Sequence, residues 1–261
     1  MNYKDIVFTV GNNIAVITLN RPDIRNAISG SKIIEEIEAA CTQVNQNMSI
    51  KVMILAAADP VFSSGGNIKD MAEKKGMFAG SPADIMENYR RNIQRIPLAI
   101  HCVETPTIAA VNGPAIGAGC DLALMCDMRI ASERAKFGET FINLGIIPGD
   151  GGAYFLPKTV GMARACELSF TGDIIDAKKA LKIGLVNDVV AHDQLMAQTR
   201  LLAEKIASKP SAALRMTKRL LYMGQKFGLK ELLEQSAAYQ ALCHSSEEHQ
   251  GALSALLKKM K

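Results

Sequence analysis

An α/β core followed by an all-helical tail is the fold class this sequence predicts, and three observations predict it. Apolar runs of strand length alternate with stretches of helical spacing up to about residue 190. Glycine-rich loops stand where strands give way to helices, and from about residue 192 the pattern becomes helical throughout.

Taken in order, MNYKDIVFTVGNNIAVITLN reads as alternating strand around a Gly11-Asn12-Asn13 turn, with no long apolar signal core. Ile14–Leu19 and Val52–Ala57 are strands. Between them Ile33, Ile34, Ile37, Cys41 and Val44 fall at helical spacing, with Ser31 as N-cap. The polar, Gly/Pro-punctuated stretch 72–88 is expected to be mobile. Thr107–Val111 and 128–131 are further strands, and 185–190 follows a helix over about 176–183 that Gly184 terminates. In the tail, Leu195, Thr199, Leu202 and Ile206 mark an amphipathic helix that the Lys209-Pro210 step ends, and three more helical stretches follow. The expected organisation is a core over residues 1–191 that carries the site, and a helical region over 192–261 that covers the core or a neighbouring subunit.

With 48% hydrophobic and 21% charged residues in 261, the chain can bury a large core. A net charge of +4 spread along the sequence argues against a dedicated nucleic-acid protein, which carries a denser basic stripe. None of the six cysteines stands in a CxxC pair, so neither a zinc site nor a disulfide framework is expected, and the reading is of a cytoplasmic protein. No run approaches the roughly 18 to 20 apolar residues of a membrane span.

Two loops carry the functional signal. VNGPAIGAGCDLALMCD, 111–127, sets small residues ahead of one acid, Asp121. It is not a dinucleotide fingerprint, because GxGxxG would need glycine where Leu122 stands, and no Gly-Lys-Ser/Thr follows to make a P-loop. A helix starting near Ala118 instead presents unpaired N–H groups and a positive dipole end with little side chain in front of them. VFSSGGNIKDM, 61–71, has the same design, with Ser63, Ser64, Gly65 and Gly66 just before a helix. Two such loops can aim two amides at one oxygen, an oxyanion hole contributing roughly 2.7 to 4 kcal/mol per donor as charge develops.

These stretches, with TPTIAAVNGPAIGAGCDLALMCDMRIAS and AKFGETFINLGIIPGDGGAYFLPKTVG in this order, resemble the crotonase superfamily, the enoyl-CoA hydratase/isomerase family, over essentially the whole chain. The resemblance implies a spiral of ββα units with a C-terminal helical subdomain. It implies an acyl-CoA thioester as partner, a homotrimer or dimer of trimers, and no metal or redox cofactor, since coenzyme A enters with the substrate. Carried over, the oxyanion amides fall on Gly66 and Ala118. Ser64, Gly66, Asn67, Ile68 and Lys69 match the stretch lining the coenzyme A channel, and the 21–27 loop, with Arg25 and Ala27, resembles the one that approaches the adenosine end.

Hydratases of this family use two glutamates, and here the first falls on Asp121 while the second falls on Phe141, which cannot transfer a proton but can pack against an acyl chain. Glu139 and Asp150 are the candidate substitutes. Glu139 shares the face of Phe141 if the segment is extended and otherwise is a solvated or paired strand residue; Asp150 is alternatively an N-cap. Asp121 has its own alternative, a charge stabilised by the helix dipole. His101 and His192 match no family role. The leading expectation is an enoyl-CoA hydratase-like enzyme working through an enolate. A double-bond isomerase using Asp121 alone, an acyl-CoA-binding protein without catalysis, and, least favoured, an RNA-binding protein are the alternatives.

Overall fold

The computed structural model describes residues 3–260. Strands β1 (Ile6–Gly11) and β2 (Ile14–Leu19) form an antiparallel hairpin, with Asn12 and Asn13 in the left-handed conformation that a tight turn demands. Helix α1 (Ile33–Gln46) returns the chain to β3 (Val52–Ala57), parallel to β2. Three helices, α2 (Ile68–Ala72), α3 (Pro82–Arg91) and α4 (Arg95–His101), precede β4 (Thr107–Val111). Then come β5 (Pro114–Ile116), α5 (Ala118–Leu124), β6 (Met128–Ser132) and β7 (Lys136–Gly138). A second helical pair, α6 (Gly152–Val160) and α7 (Met162–Thr171), leads to β8 (Ile174–Asp176), α8 (Ala177–Lys182) and β9 (Asp188–Val190). The tail is α9 (Leu195–Ala207), α10 (Ser211–Met223), α11 (Leu229–His244) and α12 (Glu247–Lys259).

Six strands pair in the order β1-β2-β3-β4-β6-β9, parallel after the first hairpin, and β5-β7-β8 form a small second sheet. The two-residue period of the parallel strands divides their side chains between two cores. Ala15, Ile17, Leu19, Met53, Leu55, Ala109 and Val111 face the larger one, with α1 and α5. Ile14, Val16, Val52, Ile54, Ile108 and Ala110 face the other, which α9 closes with Leu195, Ala203 and Ala207. Both faces being covered explains why these strands read as nearly continuous apolar runs.

Charge, rather than apolar burial, fastens α10. Arg215 bonds Glu104 at 3.0 Å and the Ile50 carbonyl at 3.2 Å; Lys218 donates to the Thr105 carbonyl at 3.0 Å and pairs with Asp127 at 2.8 Å. By contrast α11 and α12 contain no buried residue and expose Leu229, Leu233, Leu242, Leu253, Leu256 and Leu257.

Several local expectations change. The N-cap of α1 is Lys32, although the Ser31 hydroxyl still accepts from the Ile33 amide at 3.3 Å. Only Asp188–Val190 of the 185–190 run is paired, because Leu185 and Val186 are buried in the core without a strand partner. Stretch 72–88 is not a plain loop: a 3₁₀ turn at Gly76–Phe78 precedes α3, whose start is fixed by a reciprocal capping box between Ser81 and Asp84.

Candidate active site

The two glycine loops are joined through their main chains. Ser63 pairs in parallel with Ala115, its amide donating to the Pro114 carbonyl at 3.2 Å and its carbonyl accepting from Ile116 at 3.0 Å. Contact this close leaves no room for side chains. A Cβ on Gly119 would lie 2.2 Å from the Ser63 oxygen, and one on Gly65, whose φ is +77°, would lie 2.6 Å from the Ile116 oxygen and 3.0 Å from the Ala118 nitrogen. Ala118 is the first residue of α5, where no intrahelical acceptor exists for its N–H. Among the described residues, the amides of Gly66 and Ala118 donate to no protein atom, while those on either side of Gly66 are engaged: Gly65 to the Ser63 hydroxyl at 3.1 Å and Asn67 to the Ser29 hydroxyl at 2.8 Å. Two free amides on abutting loops can serve one oxyanion.

The 21–27 loop lies against the same segment. Ser64 N donates to the Arg25 carbonyl and Ile28 N to the Gly65 carbonyl, each at 3.0 Å; Arg25 is exposed and Ala27 buried. Asn67 caps α2 through a 3.0 Å bond from the Lys69 amide, and Ile68 and Lys69 are exposed beyond it.

Three carboxylates converge one helical turn past Ala118. Asp121, Glu139 and Asp150 are 0%, 2% and 3% exposed. Asp121 is within hydrogen-bonding reach of both others. As ionised groups they have nothing to share: both oxygens of Asp121, both of Glu139 and Oδ1 of Asp150 are buried without a partner. A proton held between Asp121 and a neighbour satisfies two of these at once. Accordingly all three are raised above the ordinary carboxylate range. Burial is the main cause for each; the charge of Glu139 adds for Asp121, that of Asp121 for Asp150 and that of Asp150 for Glu139. Asp121 also meets the start of α6, where a Cβ on Gly152 would stand 2.3 Å from its Oδ1. Asp150 is not the cap of α6; Gly151 takes that place, with no side-chain bond. Glu139 follows β7 and precedes a 3₁₀ turn over Thr140–Leu144, buried rather than solvated.

Phe141 lies on that turn, and its ring carbons are 3.8 Å from where a Cβ on Gly117 would be. It walls a cavity of about 280 Å³ with Glu139, Ile146, Gly152, Leu156 and Cys166. A larger one, about 620 Å³, shares Ile146 with it and is lined also by Ile68, Met71, Phe78, Tyr89 and Leu144. Gly152, Met71, Phe78 and Tyr89 were not singled out by sequence reasoning; the first signalled itself only as one glycine among several in PGDGG. His192 bonds Asp59 and the Asn112 carbonyl, each at 3.2 Å, and His101 packs edge-on against Tyr154, Phe155 and Tyr222, so neither enters the site. Among the described residues, no group of three or more His, Cys, Asp or Glu side chains is arranged to hold a metal ion, and no helix is long and apolar enough to cross a membrane.

Two free amides on abutting loops, beside a cluster of buried carboxylates, suit chemistry next to a carbonyl. The chain belongs to the enoyl-CoA hydratase/isomerase family, whose profile matches residues 9–261. It is 34% identical to the crotonyl-CoA hydratase of Syntrophomonas wolfei, with 100% of this chain and 98% of that protein covered. It is also 34% identical to the short-chain-enoyl-CoA hydratase of Clostridium acetobutylicum, covering 100% and 97%. The solved enoyl-CoA hydratase of Bacillus anthracis superposes with a TM-score of 0.90 at 31% identity, covering 98% of this chain and 97% of the other. The α/β core with its helical tail is therefore the crotonase fold.

Proposed function

We propose that the chain is an enoyl-CoA hydratase in which Asp121 and Asp150, backed by Glu139, replace the usual pair of glutamates. The observation that carries this reading is the meeting of three buried carboxylates beside the free amides of Gly66 and Ala118. The thioester oxygen accepts from those two amides. Water adds through its oxygen to Cβ and gives a proton to the ionised carboxylate; the double-bond electrons move to the thioester oxygen as an enolate; the protonated carboxyl then returns a proton to Cα as the carbonyl re-forms. The cluster suits this division because mutual repulsion keeps one member protonated while another is ionised.

No cofactor is needed beyond the coenzyme A carried by the substrate. Ser64, Asn67, Ile68 and Lys69 line its channel, with Arg25 and Ala27 toward the adenosine end, and Phe141 packs on the acyl group. The exposed leucines of α11 and α12 support assembly as a homotrimer or dimer of trimers, which light scattering reads directly. The working compartment on this reading is the cytoplasm.

The test is hydration of a short enoyl-CoA, followed as loss of the conjugated thioester's ultraviolet absorbance. Parent protein hydrates; Asp121→Asn and Asp150→Asn each lose kcat with acyl-CoA binding kept, and the double variant loses less than the product of the two. A parent that shifts the double bond and gains hydration only as Phe141→Glu would establish the isomerase instead. One that binds acyl-CoA and does neither would be a binding protein.

A further inference from the structure

An attacking water needs a second partner besides the base, since a held water takes two to four polar contacts. Around the carboxylates the choice is narrow. Asp150 Oδ2 is the one oxygen of the cluster that is not sealed away without a partner. Tyr89 of α3 packs against the residue before Asp150: the ring edge is 3.0 Å from where a Cβ on Gly149 would lie, and burial, with the charge of Asp150, raises the phenol above its ordinary range.

The other side of the ring reaches back to the oxyanion hole. Tyr89 packs edge-on against Phe78 with centroids 6.4 Å apart, and Phe78 Cζ is 3.7 Å from where a Cβ on Gly66 would lie. Contacts therefore run from Gly66 through Phe78 and Tyr89 to Gly149, the residue before Asp150. Within the larger cavity only Tyr89 and the exposed Lys74 bring polar side chains. Among the described residues the Tyr89 hydroxyl bonds to no protein atom. A half-buried phenol in an apolar wall, with its hydroxyl unused, is placed for a ligand atom.

We propose that Tyr89 is the water-positioning residue of this site: its hydroxyl and Asp150 Oδ2 together hold the water that attacks Cβ. This rests on the hydratase reading given above. Tyr89 does not take the proton. It fixes the oxygen toward Cβ while Asp150 accepts the hydrogen, so it matters for water addition and not for charge at Cα or on the thioester oxygen.

Tyr89→Phe in the full chain removes only the hydroxyl and keeps the ring contact with Phe78. Three measurements are made on parent and variant with matched melting curves: hydration of crotonyl-CoA, the Kd of butyryl-CoA, and exchange of the butyryl-CoA Cα hydrogens in heavy water followed by proton resonance. The expected result is a tenfold to hundredfold lower kcat, of the order of one or two hydrogen bonds, with KM, Kd and Cα exchange within about twofold. Full hydration by the variant overturns the proposal and leaves the hydratase reading standing. Exchange falling in parallel with hydration also overturns it, placing Tyr89 behind the carboxylates in a structural part. A parent that does not hydrate at all overturns both.

Discussion

Gly152→Ala puts one methyl group directly against the Asp121 carboxylate. Alanine is compatible with the backbone there, since Gly152 opens α6 and is not among the glycines at positive φ. Its Cβ, however, would lie 2.3 Å from Asp121 Oδ1 and 2.8 Å from Cγ and Oδ2. Restoring an ordinary contact of 3.4 Å moves the carboxylate by about 1 Å, and Asp121 is wholly buried between Glu139 and Asp150, so the motion must disturb them too. Overpacking of this kind costs about 1 to 3 kcal/mol, offset by at most about 1 kcal/mol from alanine's helix preference. The net, roughly 0 to 3 kcal/mol, lowers Tm by no more than about 12 °C in a chain of this size. A catalytic group displaced by about 1 Å loses on the order of a hundredfold in rate. Expected, then, is a small loss of stability with a large loss of kcat in the absorbance assay, whereas Gly251→Ala on α12, where a Cβ meets nothing within 4 Å, changes neither for the worse. Parental kcat in a folded Gly152→Ala protein would refute the placement of Asp121 in the chemistry.

Three further outcomes are expected. Asp121→Asn should raise Tm at neutral pH while lowering kcat: the folded protein holds this carboxyl well above its ordinary range, chiefly by burial, so the group's stability contribution is present below about pH 4 and is lost as pH rises. The difference in Tm between parent and variant should therefore shrink as the buffer is taken down toward pH 4, and a gap that widens there would contradict the sign. Ala118→Pro, tolerated at a first helical position, should cut kcat by about a hundredfold to a thousandfold with near-parental melting, since it deletes one oxyanion donor; unchanged turnover would remove that amide from the mechanism. Lys218→Met should destabilise by about 1 to 3 kcal/mol in urea unfolding, because Asp127 stays half-enclosed without its 2.8 Å partner; a neutral result would mean that α10 is not held by this pair.

What could be read from the sequence followed what is local in the chain. Both glycine loops announced themselves because a free amide needs only small residues before a helix start, and the strands from Ile14 to Val111 because two covered faces leave them apolar. Asp121 was legible by its place one turn after Ala118. Its convergence with Glu139 and Asp150 was not, since that depends on how closely α6 docks against α5 at Gly152, a matter of three-dimensional packing. The apolar run at Leu185 and Val186 showed burial but could not distinguish a core segment from a paired strand. Tyr89 stayed hidden because α3 lies within a polar, Gly/Pro-punctuated stretch and has no fully buried residue; its clearest sequence marker is the SPAD capping box.

The main-chain seam between residues 63 and 116 has a consequence for how this chain can change over generations. The proposed oxyanion donors are fixed by carbonyls, amides and the absence of side chains, none of which specifies what happens at Cα or Cβ. Of the groups proposed to specify it, Asp121 shares α5 with the Ala118 amide, while Glu139, Phe141 and Asp150 sit on a separate stretch, after β7 and before α6. Mutations there can reassign the proton chemistry without loosening the clamp on the thioester, so selection can explore reactions on one half of the site while inheriting the other intact.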